Sequence, residues 1–118
     1  MAVHWAPDDC RTVSGILRQH PPESGRCADA ARAVLPIAVA LDPQSRARIL
    51  RPTQGRFVAA KLPAGHRWRH HVSVSVTAHF ADALTGSNGT EQDLYLNEHF
   101  QFPAAVEWED TDLGDVSL

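Results

Sequence analysis

The chain has 118 residues, of which 43% are hydrophobic and 21% charged, and its formal net charge is −3. This length fits one domain with one core, and the composition is ordinary for a globular protein. The negative charge argues against a nucleic-acid module, because such modules usually carry a strong basic patch. No apolar run approaches the roughly 20 residues that span a bilayer. We therefore expect neither nucleic acid nor a membrane as a partner.

The N-terminal sequence, MAVHWAPDDCR, has no basic start and no apolar stretch typical of a signal peptide. We expect a cytoplasmic protein, or one exported by a specialised secretion system that needs no classical signal. The chain has two cysteines, Cys10 and Cys27. A disulfide between them is compatible with the sequence, but cytosolic thiols stay reduced, so a free Cys27 is the preferred interpretation.

The first third of the chain carries helix signals. Two aspartates at positions 8 and 9, followed by apolar residues at helical spacing, predict a short helix within residues 6–20. The segment HPPESG, residues 20–25, is predicted as a loop because prolines and glycine interrupt a helix. Ser24 is the predicted N-cap of a second helix, from about Arg26 to Leu35, and Pro36 is expected to kink or end it.

The rest of the chain carries strand signals. In HHVSVSV, valines alternate with polar residues at a period of two, which is the clearest strand pattern in the sequence. Helices first and strands second predict an α+β class with an antiparallel sheet. The further predictions are strands in RARILRP and GRFVAAKL around PTQG, a strand from Phe80 to Leu84, a polar loop in TGSNGTEQ, a short helix in DLYLNEHF and a last strand in AAVEWED.

With Ser24 as the N-cap, Cys27 is the third residue of the predicted second helix and lies in its first turn. A helix N-terminus has unpaired N–H groups and roughly half a positive charge, which favours a thiolate over a thiol. Arg26 adds positive charge, and the N–H of Cys27 could stabilise an oxyanion. The alternative is that Cys27 is simply a small buried apolar residue.

The valine-rich strand offers a base for such a thiol. If Thr77 and Ala78 form a two-residue turn, Ser73 pairs with Asp82, and Asp82 becomes the diagonal neighbour of His71 on one face. A four-residue loop keeps this register, whereas a three-residue turn puts Asp82 on the opposite face. By strand parity, His70 is expected to point away from Cys27. Three of the four side chains of Cys27, His70, His71 and Asp82 are expected to be exposed in a cleft.

The segments GRCADAARAVL and HHVSVSVTAHFADALTG together resemble the papain-fold toxin domains of bacterial polymorphic toxin systems. In that family, a helix led by cysteine is followed by an H-V-x-V-x-V strand, a turn and an acidic residue. The resemblance covers roughly Ser24 to Gly86. It implies a single papain-like domain over residues 1–118, in which Cys27 is the nucleophile, His71 the base and Asp82 the group that orients His71.

The resemblance also implies an activity. Papain-like families include peptidases, glutamine deamidases and transglutaminase-like enzymes, so we expect thiol chemistry on an amide or acyl group. No cofactor is expected. The expected partners are a protein or peptide substrate and a cognate immunity or inhibitor protein, as for a toxin or effector domain. Gln19 is the first candidate for the second oxyanion donor, because papain-like enzymes often place a glutamine shortly before the cysteine. Ser24 is the other candidate.

Two alternatives compete with the enzyme. His66, His70 and His71, with His79 further on, could hold a metal, but solvent-exposed histidines are the simpler interpretation and we expect no metal. A non-catalytic interaction or immunity-type module on the same α+β scaffold is the second alternative. It gives no reason for a cysteine at a helix start or for an acid beside a histidine. Trp68, three residues before His71, is a candidate wall of the substrate groove.

Overall fold

The computed structural model describes residues 2–62 and 66–114. Helices come first and strands second, so the predicted α+β class with an antiparallel sheet is confirmed. In the described residues, the helices are α1 (Pro7–Gln19), α2 (Cys27–Leu41) and α3 (Gln92–His99), with short 3-10 turns at Pro22–Ser24 and Pro103–Ala105. The strands are β1 (Arg46–Pro52), β2 (Val58–Ala59), β3 (Arg67–Trp68), β4 (His71–Val76), β5 (His79–Asp82), β6 (Gly86–Glu91) and β7 (Val106–Asp110).

The main sheet has the strand order β6-β5-β4-β1-β7, and every adjacent pair is antiparallel. Strand β4 is therefore central, and α2 packs against it. Strands β2 and β3 pair separately as a small second sheet. GRFVAAKL thus forms only a two-residue strand, which joins this second sheet instead of pairing with β1.

Both faces of β4 are buried. Its valines, at positions 72, 74 and 76, belong to the core that includes the α2 residues Ala30, Ala31 and Val34. On the other side of the sheet, a second cluster is built around Tyr95 and Phe100. The small residues of α2 therefore pack against valines, whereas the polar residues of β4 face away from the helix.

The start of α2 differs from the prediction. The N-cap residue is Arg26, and Cys27 is the first helical residue instead of the third. Ser24 ends the 3-10 turn that follows Pro21, and Gly25 then adopts a left-handed φ of 69° that redirects the chain into the helix. The two prolines favour this tight turn over a serine cap. Cys27 nevertheless remains in the first turn, where backbone N–H groups have no partner within the helix.

The end of α2 also differs. Pro36 neither ends nor visibly divides the helix, which runs on to Leu41. Proline removes one backbone donor, but here its ring is exposed, while Val34 and Ala38 keep the opposite face buried. Burial of that face outweighs the lost hydrogen bond.

The segment TGSNGTEQ is wrongly predicted as a loop, because it contains the whole of β6. This sequence has weak strand propensity, and its conformation is imposed by pairing with β5. Gly89 has a φ of 73°, and a Cβ there would lie 3.1 Å from the Phe80 carbonyl oxygen. Strand β5 ends at Asp82, two residues before the predicted Leu84. None of the described helices is both long and apolar enough to cross a membrane.

Candidate active site

The β4–β5 hairpin has the two-residue turn considered in the sequence analysis. Thr77 and Ala78 have φ values of 46° and 64°, as the tightest hairpin turns require, although neither is a glycine. The turn is held from outside, because the Thr77 N–H donates to the Asp42 carboxylate at 2.8 Å and the Gln92 N–H to the Ala78 carbonyl at 3.0 Å. The pairs Val76–His79, Ser75–Phe80 and Val74–Ala81 have the predicted register, and the recorded pairing ends one position before Ser73 and Asp82.

This register brings His71 and Asp82 together. Nε2 of His71 lies 3.1 Å from Oδ2 of Asp82. Both side chains are buried, with 3% of His71 and 4% of Asp82 exposed, which corrects the expectation that they would be open to a cleft. The reason is that α3 and Phe100 cover this face of the sheet. Only Cys27, which is half-buried, is left partly open to solvent.

The Asp82 carboxylate is saturated with hydrogen bonds. Oδ1 accepts from the backbone N–H groups of Leu84 at 2.8 Å and Thr85 at 3.2 Å, and Oδ2 accepts from the Tyr95 hydroxyl at 2.5 Å as well as from His71. Burial acts to raise the pKa of Asp82, but the hydrogen bond and charge of His71, with hydrogen bonds from Tyr95 and Ser73, hold it below its usual value. Asp82 therefore presents a fixed negative charge to the imidazole.

The hairpin also explains how the thiol reaches this network. In a two-residue hairpin the residues flanking the turn exchange hydrogen bonds, so Val76, Val74 and Val72 all direct their N–H groups toward β5. Because β5 ends at Asp82, Val72 has no strand partner on that side. Its N–H donates instead to Sγ of Cys27, at 3.4 Å. Sγ of Cys27 thus lies beside β4, at the point where the neighbouring strand β5 ends.

Cys27 and His71 shift each other's protonation. Burial acts to raise the pKa of Cys27, but the hydrogen bond and charge of His71, together with the Val72 N–H, lower it overall. Burial likewise acts to lower the pKa of His71, yet its hydrogen bonds and charge interactions with Asp82 and Cys27 raise it to about 10. Both shifts favour a thiolate paired with an imidazolium over a neutral thiol paired with a neutral imidazole.

The two nitrogens of His71 have different surroundings. Nε2 is occupied by Asp82, while Nδ1 is buried and makes no hydrogen bond of ordinary geometry to any other described group. Nδ1 is thus the nitrogen left to share a proton with the neighbouring thiol. The ring is held between Trp68, 5.5 Å away between centroids, and Phe100, 5.8 Å away.

A cavity of about 560 Å³ opens beside the thiol. Cys27 and Trp68 both line it, so the structure places the predicted groove-wall residue next to the thiol. His70 lines it too, and the expectation that its side chain points away from Cys27 stays a prediction. His70 precedes β4 by one residue, so the alternation of the strand does not govern its direction.

The two candidate oxyanion donors lie elsewhere. Among the described residues that line this cavity, neither Gln19 nor Ser24 is found. Gln19 is exposed at the end of α1. The Ser24 hydroxyl donates to the Pro21 carbonyl at 2.6 Å and accepts from the Arg26 N–H at 3.3 Å, so its capacity is used within its own turn.

Tyr95 is the site residue that the sequence analysis missed. It is fully buried on α3, and burial with the negative charge of Asp82 raises the pKa of its hydroxyl well above the usual value. Tyr95 therefore remains a hydrogen-bond donor to Asp82 at any ordinary pH. The only available signal was its position as the sole tyrosine of the chain, shortly after the DALTG segment.

A metal site or a known relative would offer another route to a function. Over residues 2–62 and 66–114, no group of three or more histidine, cysteine, aspartate or glutamate side chains is arranged to hold a metal ion. Comparison of the chain with protein-family models, with curated proteins and with solved structures found no match. The case for a function therefore rests on the geometry of Cys27, His71 and Asp82.

Proposed function

We propose that this protein is a thiol enzyme of papain-like type that acts on an amide or related acyl group through Cys27, His71 and Asp82. One observation carries the proposal. A half-open cysteine at the first residue of a helix accepts the N–H of Val72 and interacts with the neighbouring buried His71, whose Nε2 is hydrogen-bonded to a buried carboxylate. A structural cysteine needs none of these partners, whereas an activated nucleophile needs all of them.

The proposed chemistry has two stages. The Cys27 thiolate attacks the carbonyl carbon of the substrate, and the oxyanion that forms is stabilised by the Cys27 N–H at the start of α2. The His71 imidazolium then gives its Nδ1 proton to the departing nitrogen, which leaves as an amine or as ammonia. In the second stage His71 takes a proton from water, which attacks the thioester. The bond between the acyl carbon and Sγ then breaks, which releases a carboxylic acid and regenerates the thiolate–imidazolium pair.

The leaving group and the acceptor of the acyl group together decide the type of enzyme. Release of a peptide amine makes the protein a peptidase, release of ammonia from a glutamine side chain makes it a deamidase, and capture of the thioester by a second amine makes it an acyl transferase. The resemblance to papain-fold toxin domains favours a protein substrate in a target cell and a cognate immunity protein that blocks the cavity. It also favours an origin as a bacterial effector, placed in the cytoplasm or exported without a classical signal.

Thiol reactivity tests the proposal with a control inside the same molecule. Cys10 and Cys27 are both free and half-buried, but only Cys27 has a histidine partner. Iodoacetamide labelling at pH 6.5, followed by peptide mass spectrometry, should modify Cys27 at least about tenfold faster than Cys10, because more of it is thiolate. Equal rates would support the interaction or immunity-type module instead.

The pH profile gives a second measurement. The labelling rate of Cys27 should rise through an inflection below the ordinary thiol value of about 8.5, because His71 lowers the thiol pKa. Amide turnover should also fall again as pH rises through about 10, where His71 loses its proton. The raised pKa of His71 stabilises the fold fully below its ordinary value of 6.5, and that contribution disappears as pH rises through about 10. A single inflection near 8.5 would identify Cys27 as an ordinary thiol.

A further inference from the structure

The cavity beside Cys27 has a charge opposite to that of the whole chain. The net charge is −3, yet Arg51, Arg67 and Arg69 line this one cavity together with Cys27. A neighbouring cavity of about 420 Å³ shares Arg67 and Phe57 with it and adds Arg56. No aspartate or glutamate among the described residues lines either cavity. Four of the chain's eleven basic residues are therefore gathered along one continuous surface.

Three of the four arginines have no carboxylate partner in the described part of the chain. Among the described residues, no carboxylate lies within ion-pair distance of Arg56, Arg67 or Arg69. Arg51 pairs with Glu109, at 3.4 Å, but about half of each side chain is exposed. The guanidinium groups of Arg56, Arg67 and Arg69 are therefore available to a ligand that enters the cavities.

The positive charges along this surface act on the neighbouring His70 side chain. The pKa of His70 is lowered, first by burial and then by the positive charges of Arg51 and His71. Two aromatic side chains, Trp68 and Phe57, line the same cavity, and 46% of Phe57 is exposed. Guanidinium groups recognise carboxylates in a bidentate manner, and aromatic side chains provide apolar contact for the chain that carries them.

We propose that this surface, formed by Arg51, Arg56, Arg67 and Arg69, binds an acidic segment of the protein substrate, so that carboxylates flank the amide delivered to Cys27. This inference rests on the proposed function, because the amide and the carboxylates must belong to one molecule. A concave surface of one charge also raises the rate at which an oppositely charged partner arrives. Nucleic acid, the other common polyanion, contains no peptide bond and no glutamine side chain for Cys27 to attack.

Binding can be measured without turnover by using the full chain with Cys27→Ala. The probes are three fluorescein-labelled ligands: a short peptide with a central glutamine flanked by glutamates, its twin flanked by serines, and a single-stranded oligonucleotide of equal negative charge. Fluorescence anisotropy should show the glutamate peptide binding most tightly. Its affinity should fall as salt rises, because exposed charges are screened.

Two double variants separate the proposed surface from net charge. Arg67→Gln with Arg69→Gln should weaken binding of the glutamate peptide by about tenfold and leave the serine peptide unchanged. Both side chains are exposed, so the fold should be retained. The matched control, Arg11→Gln with Arg18→Gln on α1, removes the same charge away from the cavities and should leave binding unchanged.

Three results would overturn the inference: equal binding of the two peptides, an equal loss in the control variant, or tighter binding of the oligonucleotide. Iodoacetamide labelling of the wild-type chain tests the proposed function separately. An unreactive Cys27 with selective binding of the glutamate peptide would reject the enzyme but keep the acidic ligand. A reactive Cys27 without that selectivity would keep the enzyme and reject the acidic ligand.

Discussion

The two faces of β4 are equally buried but are built from different chemistry. One face, Val72, Val74 and Val76, packs into an apolar core with α2. The other carries His71 and Ser73, which hydrogen-bond to groups on β5. Apolar burial stabilises the first face, whereas hydrogen bonds and paired charges compensate for desolvation on the second. A protein selected only for stability would gain more from a second apolar face, so the buried polar face indicates function.

The largest expected effect comes from removing the reacting pair. Cys27→Ala and His71→Gln should each reduce amide turnover by at least about ten thousandfold, and combining them should cost little more, because nucleophile and base act as one unit. Glutamine is chosen because its amide can still donate to Oδ2 of Asp82, which would otherwise keep only the Tyr95 hydroxyl as a donor. Turnover is measured as amine or ammonia released, with thermal unfolding as the control for folding. Substantial turnover by Cys27→Ala would contradict the proposal.

The next effect comes from the carboxylate behind the base. Asp82→Asn should lower turnover by about a thousandfold, because a neutral amide orients His71 but does not stabilise its positive charge. The pKa of His71 should fall from about 10, so the upper limb of the pH profile should move to lower pH. An unchanged upper limb would show that Asp82 does not act through His71.

The apolar face should respond in the opposite way. Val74→Ala removes buried methyl groups from the core and should lower the free energy of unfolding by about 2 kcal/mol. The labelling rate and pH inflection of Cys27 should stay the same, because Val74 points away from His71. Urea unfolding and iodoacetamide labelling of one sample measure both quantities. A shifted inflection would mean that the two faces are not independent.

The smallest effect is expected at His70. It lines the cavity but does not contact Asp82, so His70→Ala should change turnover by no more than about tenfold and leave the pH inflections in place. The turnover of His70→Ala is compared with that of His71→Gln, which should show the large loss described above. If instead His70→Ala abolished turnover and His71→Gln were tolerated, the roles of the two histidines would be reversed.

The sequence carries much of this site because its key relation is local. The alternation of valine with polar residues sets which side chains share a face, and a two-residue turn then determines that Asp82 neighbours His71. Tyr95 could not be found this way, because α3 brings it to Asp82 through tertiary packing alone. The arginine surface was missed for the same reason, since β1 and β3 meet around the cavity only in the folded chain.

Other features depend on competition that a sequence pattern does not reveal. The β6 segment has few residues that favour a strand, but hydrogen bonding to the edge of β5 holds it in an extended conformation. Pro36 has the usual signal for the end of a helix, but burial of Ala38 beyond it outweighs that signal. Gln19 was selected by analogy with papain-like enzymes, yet the proline-rich turn after α1 leaves it outside the cavity.

Asp82 performs two tasks with its two oxygens. Oδ1 accepts the Leu84 and Thr85 N–H groups, which closes the turn that ends β5 and so frees the Val72 N–H for Cys27, while Oδ2 holds His71. Selection on the fold and selection on the chemistry therefore act on a single residue. If the proposed thiol chemistry is lost in descendants of this protein, we expect Cys27 to change to other small residues first. Asp82 should persist in them, because the fold still needs its Oδ1.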